Sequence, residues 1–316
     1  MKRLHTMREG LFMKKVRFGT SNEEVAAVGL GLMRIQTAES PVDVIETAYE
    51  NGINFFDHAD IYGRGESETI FADALKKSSV NREDIFIQSK CGIVPGEMYD
   101  FSKEHIVQAV EGSLQRLDID YLDSLLLHRP DTLMEPEEVA EAFNKLEKEG
   151  KVRYFGVSNF TPGHVELLKT EVRQSLQANQ LRFGLLHTGM VDQGINANRM
   201  HEASLDHDGG VLEYSRIHKM TIQAWSPYQG QGDAGVFIDN DLYPELNILL
   251  KEMAEKYDTT PTGVSSAWIL RHPANMQVIA GSMNLDRIQQ IAKASEIEMS
   301  RKDWYALYMA AGNGLP

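Results

Sequence analysis

The chain has 316 residues, 42% of them hydrophobic, a formal charge of −14 and a single cysteine. That length can bury one large core, and the charge repels nucleic-acid backbones and anionic membrane surfaces, so any anionic ligand must be met by a local basic pocket. A lone Cys91 excludes an internal disulfide framework and a multi-cysteine metal site; no apolar run reaches membrane-spanning length and no signal-like h-region follows the basic N-terminus, so the expected location is the cytoplasm.

In chain order, residues 1–12 have no pattern, and 1–13 are expected to precede a single domain over 14–316, with Met13 as a candidate natural start. Segments 15–18 and 24–27 flank Gly19-Thr20-Ser21-Asn22 and predict a hairpin. Apolar, β-rich runs then recur at 27–32, 53–57, 85–89, 124–127, 154–157, 178–181, 221–225 and 278–280. Segments of helical period fall between and after them at 42–50, 68–75, 105–117, 137–149, 164–168, 212–219, 244–256 and 286–294. This alternation belongs to a parallel sheet with crossover helices. Thr161-Pro162 reads as an N-cap with proline at N1, Gly150 closes the helix from Pro136, and Ser300 with Asp303 opens a further C-terminal helix. No linker or repeat divides the chain. The economical fold is a (β/α)8 TIM barrel with an N-terminal β-hairpin cap and an extra C-terminal helix. A doubly wound open sheet is the alternative, but Gly29-Leu30-Gly31 lacks the third glycine of its fingerprint.

In such a barrel, function belongs at the C-terminal strand ends. Asp57 ends the second strand and Tyr62 follows it in FDHADIYG; Lys90 ends the third in IFIQSK; His128 ends the fourth in LDSLLLHRP. Singly, each has an ordinary structural explanation. Together they make an acid: a tyrosine hydroxyl of pKa about 10 protonates a nascent alkoxide only if its phenolate is stabilised, which a neighbouring ammonium does. Asp57 would keep Lys90 charged, and His128 would aim the carbonyl oxygen. None of the four reduces carbon, so a hydride-carrying cofactor is required. His58, Asp60 and His128 lack zinc-type spacing, so no metal is expected.

From Lys14 to the final helix the chain resembles the aldo-keto reductases, and its DHADIYG and HRPD segments resemble a bacterial oxidoreductase subgroup of them. The resemblance rests on Gly29-Leu30-Gly31, FDHADIYG, IFIQSK, LLLHRP, GKVRYFGVSNF (150–160), ANQ from Ala178, AWSP from Ala224 and VIAGSMNLDRI (278–288). It implies an enzyme reducing aldehydes or ketones with NADPH, NADH being the second option, and a catalytic tetrad of Asp57, Tyr62, Lys90 and His128. Ser158, Asn159 and Gln180 correspond to residues that bind the nicotinamide carboxamide. Trp225 stands where the family usually places a stacking tyrosine, followed by Ser226, Pro227 and Tyr228 near the pyrophosphate. Met33 and Arg34 lie beside the cofactor, and Gly281, Ser282, Arg287 and Gln290 match the adenosine-phosphate site, with Gly281 replacing a common lysine. The substrate pocket departs most: Met33, Gly92 and Arg129 stand where aromatic residues are usual, which implies a wider, more polar pocket. Arg129 has two possible partners, Asp131 two residues on or an anionic substrate group. Segments 182–210 and 229–235 are candidate lids. Two other classes share the fold, a cofactor-binding regulator and a barrel hydrolase; the intact tetrad and the missing metal pattern argue against them.

Overall fold

Eight short runs whose side chains are nearly all buried form the strands of a closed, all-parallel barrel: β1 (Val28–Gly31), β2 (Phe55–Asp57), β3 (Phe86–Cys91), β4 (Leu122–Leu127), β5 (Val152–Ser158), β6 (Leu176–Arg182), β7 (Thr221–Trp225) and β8 (Met276–Ala280). They pair in sequence order, with β8 closing onto β1 through Val278 opposite Val28. The computed structural model describes residues 13–315; of the leader expected over 1–13, all but Met13 lies outside the described residues, and Met13 is buried against Gly52.

Helix starts follow local chemistry. Ser40 caps α1 (Pro41–Glu50), and α2 (Glu66–Lys77) follows a turn of left-handed residues. Ser102 caps α3 (Lys103–Leu117), and proline opens α4 (Pro136–Lys148). Thr161 and His164 form a capping box on α5 (Pro162–Leu168). Two short helices follow, α6 (Gly189–Ile195) and α7 (Val211–Ile217). Then come α8 (Pro244–Lys256) and α9 (Pro261–Leu270), the latter capped by Thr260. Asn284 and Ser300 accept N3 backbone bonds at α10 (Leu285–Lys293) and α11 (Arg301–Ala310). Each cap satisfies a donor the first helical turn leaves open.

Two features depart from the expected pattern. The helix over 244–256 is present, but the one that lies against β8 is α9, while α8 packs outside it on α9 and α11. All residues from Thr262 to Ile269 are buried, so α9 has no polar face and no helical period to detect. Much of the expected lid 182–210 is docked elsewhere: Tyr308 of the last helix donates to Asp192 at 2.6 Å, which ties α6 to the C-terminal helix.

The hairpin pairs Lys15–Arg17 with Glu24–Ala26, Val16 opposite Val25. Phe18, fully buried, meets Phe55, Phe86 and Tyr154, and with Val16, Val25, Leu126, Ala178 and Ile279 forms an apolar plug. Phe55 and Phe86 begin their strands, so the plug closes the N-terminal end of the barrel. Above it the lumen turns polar, with Gln88, Gln180, Gln223 and Gln277 all buried.

Candidate active site

The polar lumen begins at the hairpin and ends at a carboxylate. Gln277 donates its amide to the carbonyl of Ala26 at 2.7 Å, and Gln223 donates to Gln277 at 2.9 Å. Gln88 and Gln180 donate to Gln223 at 2.9 and 3.2 Å and to Oδ1 of Asp57 at 2.7 and 3.0 Å. The other oxygen of Asp57 accepts from Nζ of Lys90 at 2.7 Å. Lys90 is completely buried, and its three protons have three acceptors: Asp57, the carbonyl of His58 at 2.7 Å and the hydroxyl of Tyr62 at 3.2 Å.

Tyr62 reaches Lys90 because the chain turns sharply after β2. Gly63, Arg64 and Gly65 all take positive φ (57°, 58° and 91°), and a Cβ on Gly65 would sit 2.7 Å from the Arg116 side chain. Arg116 is held by Glu68, which also accepts from Ser89, so the turn is braced from behind. His128 follows β4, anchored by its backbone donation to Cys91, and its ring meets Tyr62 nearly edge-on at 5.9 Å.

Burial lifts the Tyr62 phenol above its ordinary pKa; Lys90 pulls against it and Asp57 adds to it. For Lys90 burial acts to lower the ammonium, but Asp57 and Tyr62 outweigh it and the group ends above its usual value. Burial, then Lys90 and Arg129, bring His128 down to about 2, so its imidazole is neutral. The site therefore presents a protonated phenol backed by a fixed cation, with a neutral imidazole beside it: a proton donor with a hydrogen-bonding partner, suited to an oxygen that gains negative charge.

These groups open into a cavity of about 820 Å³ at the C-terminal strand ends, lined by Tyr62, His128, Asp57, Ser158, Asn159, Gln180 and Trp225. Met33, Arg34, Arg129, Ser226, Pro227, Tyr228, Gly281, Ser282 and Arg287 complete the expected set around it. Three expected residues are not on its wall. Lys90 lies beneath it, Gln290 sits farther along α10, and Gly92 is covered by the Phe101 ring, which a Cβ there would meet at 2.0 Å. Gly92 therefore opens no space for substrate.

A family model for the aldo/keto reductase family matches residues 27–310. The chain belongs to this family. It is 33% identical to oxidoreductase YdhF of Escherichia coli over 95% of this chain and 98% of that one. It is 34% identical to the 6-dehydroglucose reductase of Agrobacterium fabrum over 91% and 95% of the two chains. Among solved structures, a thermostable aldo-keto reductase in complex with the inhibitor epalrestat superposes with a TM-score of 0.76 at 25% identity, covering 94% of this chain and all of the other.

Aldo/keto reductases generally use nicotinamide cofactors, and the cavity residues fit one. Trp225 presents a broad indole at the cavity wall, held by donation from Nε1 to Asn159 at 3.1 Å; Asn159 in turn donates to Ser158 at 2.8 Å. The amide nitrogen of Gln180 is committed to Asp57 and Gln223, which leaves its carbonyl oxygen for a ligand amide. Across the mouth, Arg34 donates to the carbonyl of Gly281 at 2.9 Å, close to Ser282 and Arg287. Arg34 and Arg287 have no carboxylate partner among the described residues, a donor set suited to a phosphate.

In this reductase Arg129 does not pair with Asp131. The Asp131 carboxylate accepts instead from the backbone of Phe101 at 3.1 Å and Leu133 at 2.8 Å, and Arg129 lies over the Trp225 ring at 5.8 Å. Arg182 was not singled out from the sequence, yet it lines the cavity and faces the same ring at 5.8 Å. The signal was present: Arg182 is two residues after Gln180 on one strand, which puts both on one face. Of the expected lid 229–235, Gln229 lines the cavity, and Val236, Ile238 and Asp239 just beyond it add to the wall.

Proposed function

We propose that this aldo/keto reductase reduces aldehydes or ketones to alcohols with NADPH, Tyr62 acting as the general acid. The observation that carries the reading is the buried chain Asp57–Lys90–Tyr62 opening beside His128 into a cavity that fits a dinucleotide. A bound NADPH would supply the hydride. The protein's own groups do the rest: the neutral His128 hydrogen-bonds and orients the carbonyl oxygen, Tyr62 gives that oxygen its proton, and the Lys90 ammonium stabilises the phenolate left behind. Asp57 keeps Lys90 in place and charged. Arg287, with Arg34 and Ser282, supports NADPH over NADH, because a guanidinium grips a phosphate with two charge-assisted bonds. The relatives named for 6-dehydroglucose reduction support a polar carbonyl substrate. In Tyr62→Phe, steady-state reduction of an aldehyde panel should fall by roughly 10²-fold or more while a fluorescence titration still detects NADPH binding. Turnover at the parent rate would remove Tyr62 from the role.

A further inference from the structure

We infer that Arg129 and Arg182 form a subsite for an anionic oxygen group, a carboxylate or a phosphate, carried by the carbonyl substrate. The inference deepens the proposed reduction and rests on its placing the reacting carbonyl at Tyr62 and His128. Arg129 directly follows His128, and both guanidiniums lie 5.8 Å from the centre of the Trp225 ring. They are set apart from Arg34 and Arg287, which stand on the β8 and β1 side of the mouth, whereas Arg129 follows β4 and Arg182 ends β6. One pair of arginines suffices for a phosphate at the adenosine end, and the other faces the reacting end.

The charge balance of the wall points the same way. Its carboxylates are Asp57 and Asp239, and each already has a lysine, Lys90 at 2.7 Å and Lys251 at 3.0 Å. Among the described residues neither Arg129 nor Arg182 has a carboxylate, and the nearest candidate in sequence, Asp131, is committed to backbone amides. Arg182 is fixed at the cavity wall by donation to the carbonyl of Gly230 at 3.1 Å. Both guanidiniums line one cavity without a carboxylate partner, so an anionic group entering it finds two uncompensated cations. A neutral hydroxyl pairs with neither charge. That such a pocket persists in a chain of net charge −14 makes the local excess of cation specific to this site.

The test compares matched substrates with NADPH: succinic semialdehyde against butanal, and glyceraldehyde 3-phosphate against glyceraldehyde. The charged member of at least one pair should have a kcat/KM about ten-fold or more above its neutral partner, and the responding pair identifies the anion. Arg129→Gln and Arg182→Gln should each reduce that ratio by about ten-fold. Equal kcat/KM within both pairs overturns the inference while leaving the reductase reading intact. Variants that depress both members alike and weaken NADPH binding overturn it too, since the arginines would then serve the cofactor. Should no aldehyde turn over, the reductase reading falls, and calorimetric titration of butyrate and glycerol 3-phosphate into the enzyme with NADP+ decides alone. Saturable binding weakened by Arg129→Gln upholds the subsite; no binding overturns it.

Discussion

Replacing Lys90 by Met keeps most of the side-chain stem but removes the ammonium and its bonds to Asp57, His58 and Tyr62. Asp57, 2% exposed, is left as a buried carboxylate held only by the amides of Gln88 and Gln180. Breaking a buried ion pair in this way costs about 3–5 kcal/mol, and the two remaining donors favour the lower end. Adding Asp57→Asn removes the orphaned charge, so the double variant should regain roughly 1–3 kcal/mol over the sum of the single effects. Chemical unfolding of the four proteins measures this directly. Turnover should show matching coupling: Lys90→Met alone should cost about 10²-fold or more, and Tyr62→Phe added to it should cost little further, because the two act as one acid. Strictly additive stabilities, or a Tyr62→Phe/Lys90→Met double whose rate loss is the product of the singles, would refute the idea of a single unit built on this ion pair.

Three other outcomes are expected. Arg287→Ala should raise the NADPH dissociation constant by roughly ten-fold or more, the worth of about 1.5–3 kcal/mol for a charged hydrogen bond, with NADH hardly affected; equal weakening of both cofactors would make Arg287 an ordinary surface charge. Burial and Lys90 hold His128 near 2 and His58 near 3, so both are neutral, and the pH profile of aldehyde reduction should be level from pH 5 to 8; a limb near the ordinary histidine value would show that His128 ionises. Burial and then Glu68 raise Asp60 to about 7, and Arg116 only partly opposes them. Because the native state holds this proton and the unfolded chain does not, Asp60 contributes stability that is complete below pH 4 and is lost as pH rises through 7. Asp60→Asn should therefore be the more stable protein at pH 8, by on the order of a few kcal/mol, and lose that advantage at pH 4; a constant difference across the range would show that Asp60 does not titrate this way.

The parts of the fold that local chemistry determines were legible in the sequence. Asn284 and Ser300 announce helix starts by residue type, and strand ends such as Asp57, Lys90 and His128 stand out because an ionisable group closes an apolar run. What escaped depends on packing that no local pattern records. The α9 helix is buried on every side, so it has no period, and the amphipathic α8 was placed in its position. Gly92 reads as a widened pocket only until Phe101, nine residues on, is seen to cover it. Asp131 is close enough in sequence to pair with Arg129, but the backbone of Phe101 and Leu133 engages it first. The lumen glutamines come from four different strands, and their meeting is a property of closure rather than of any segment.

That row of amides has a direction. Each carboxamide has one donating and one accepting end, so once Gln277 donates to the backbone oxygen of Ala26, its own oxygen is left to accept from Gln223, whose oxygen accepts from Gln88 and Gln180 while its nitrogen also donates back to Gln88 at 3.2 Å. The polarity passes inward like a line of turned cards until the last two amides show their donor ends to Asp57. The plugged end of the barrel, far from any substrate, thus settles which end the two innermost amides turn toward the carboxylate beneath the reacting groups.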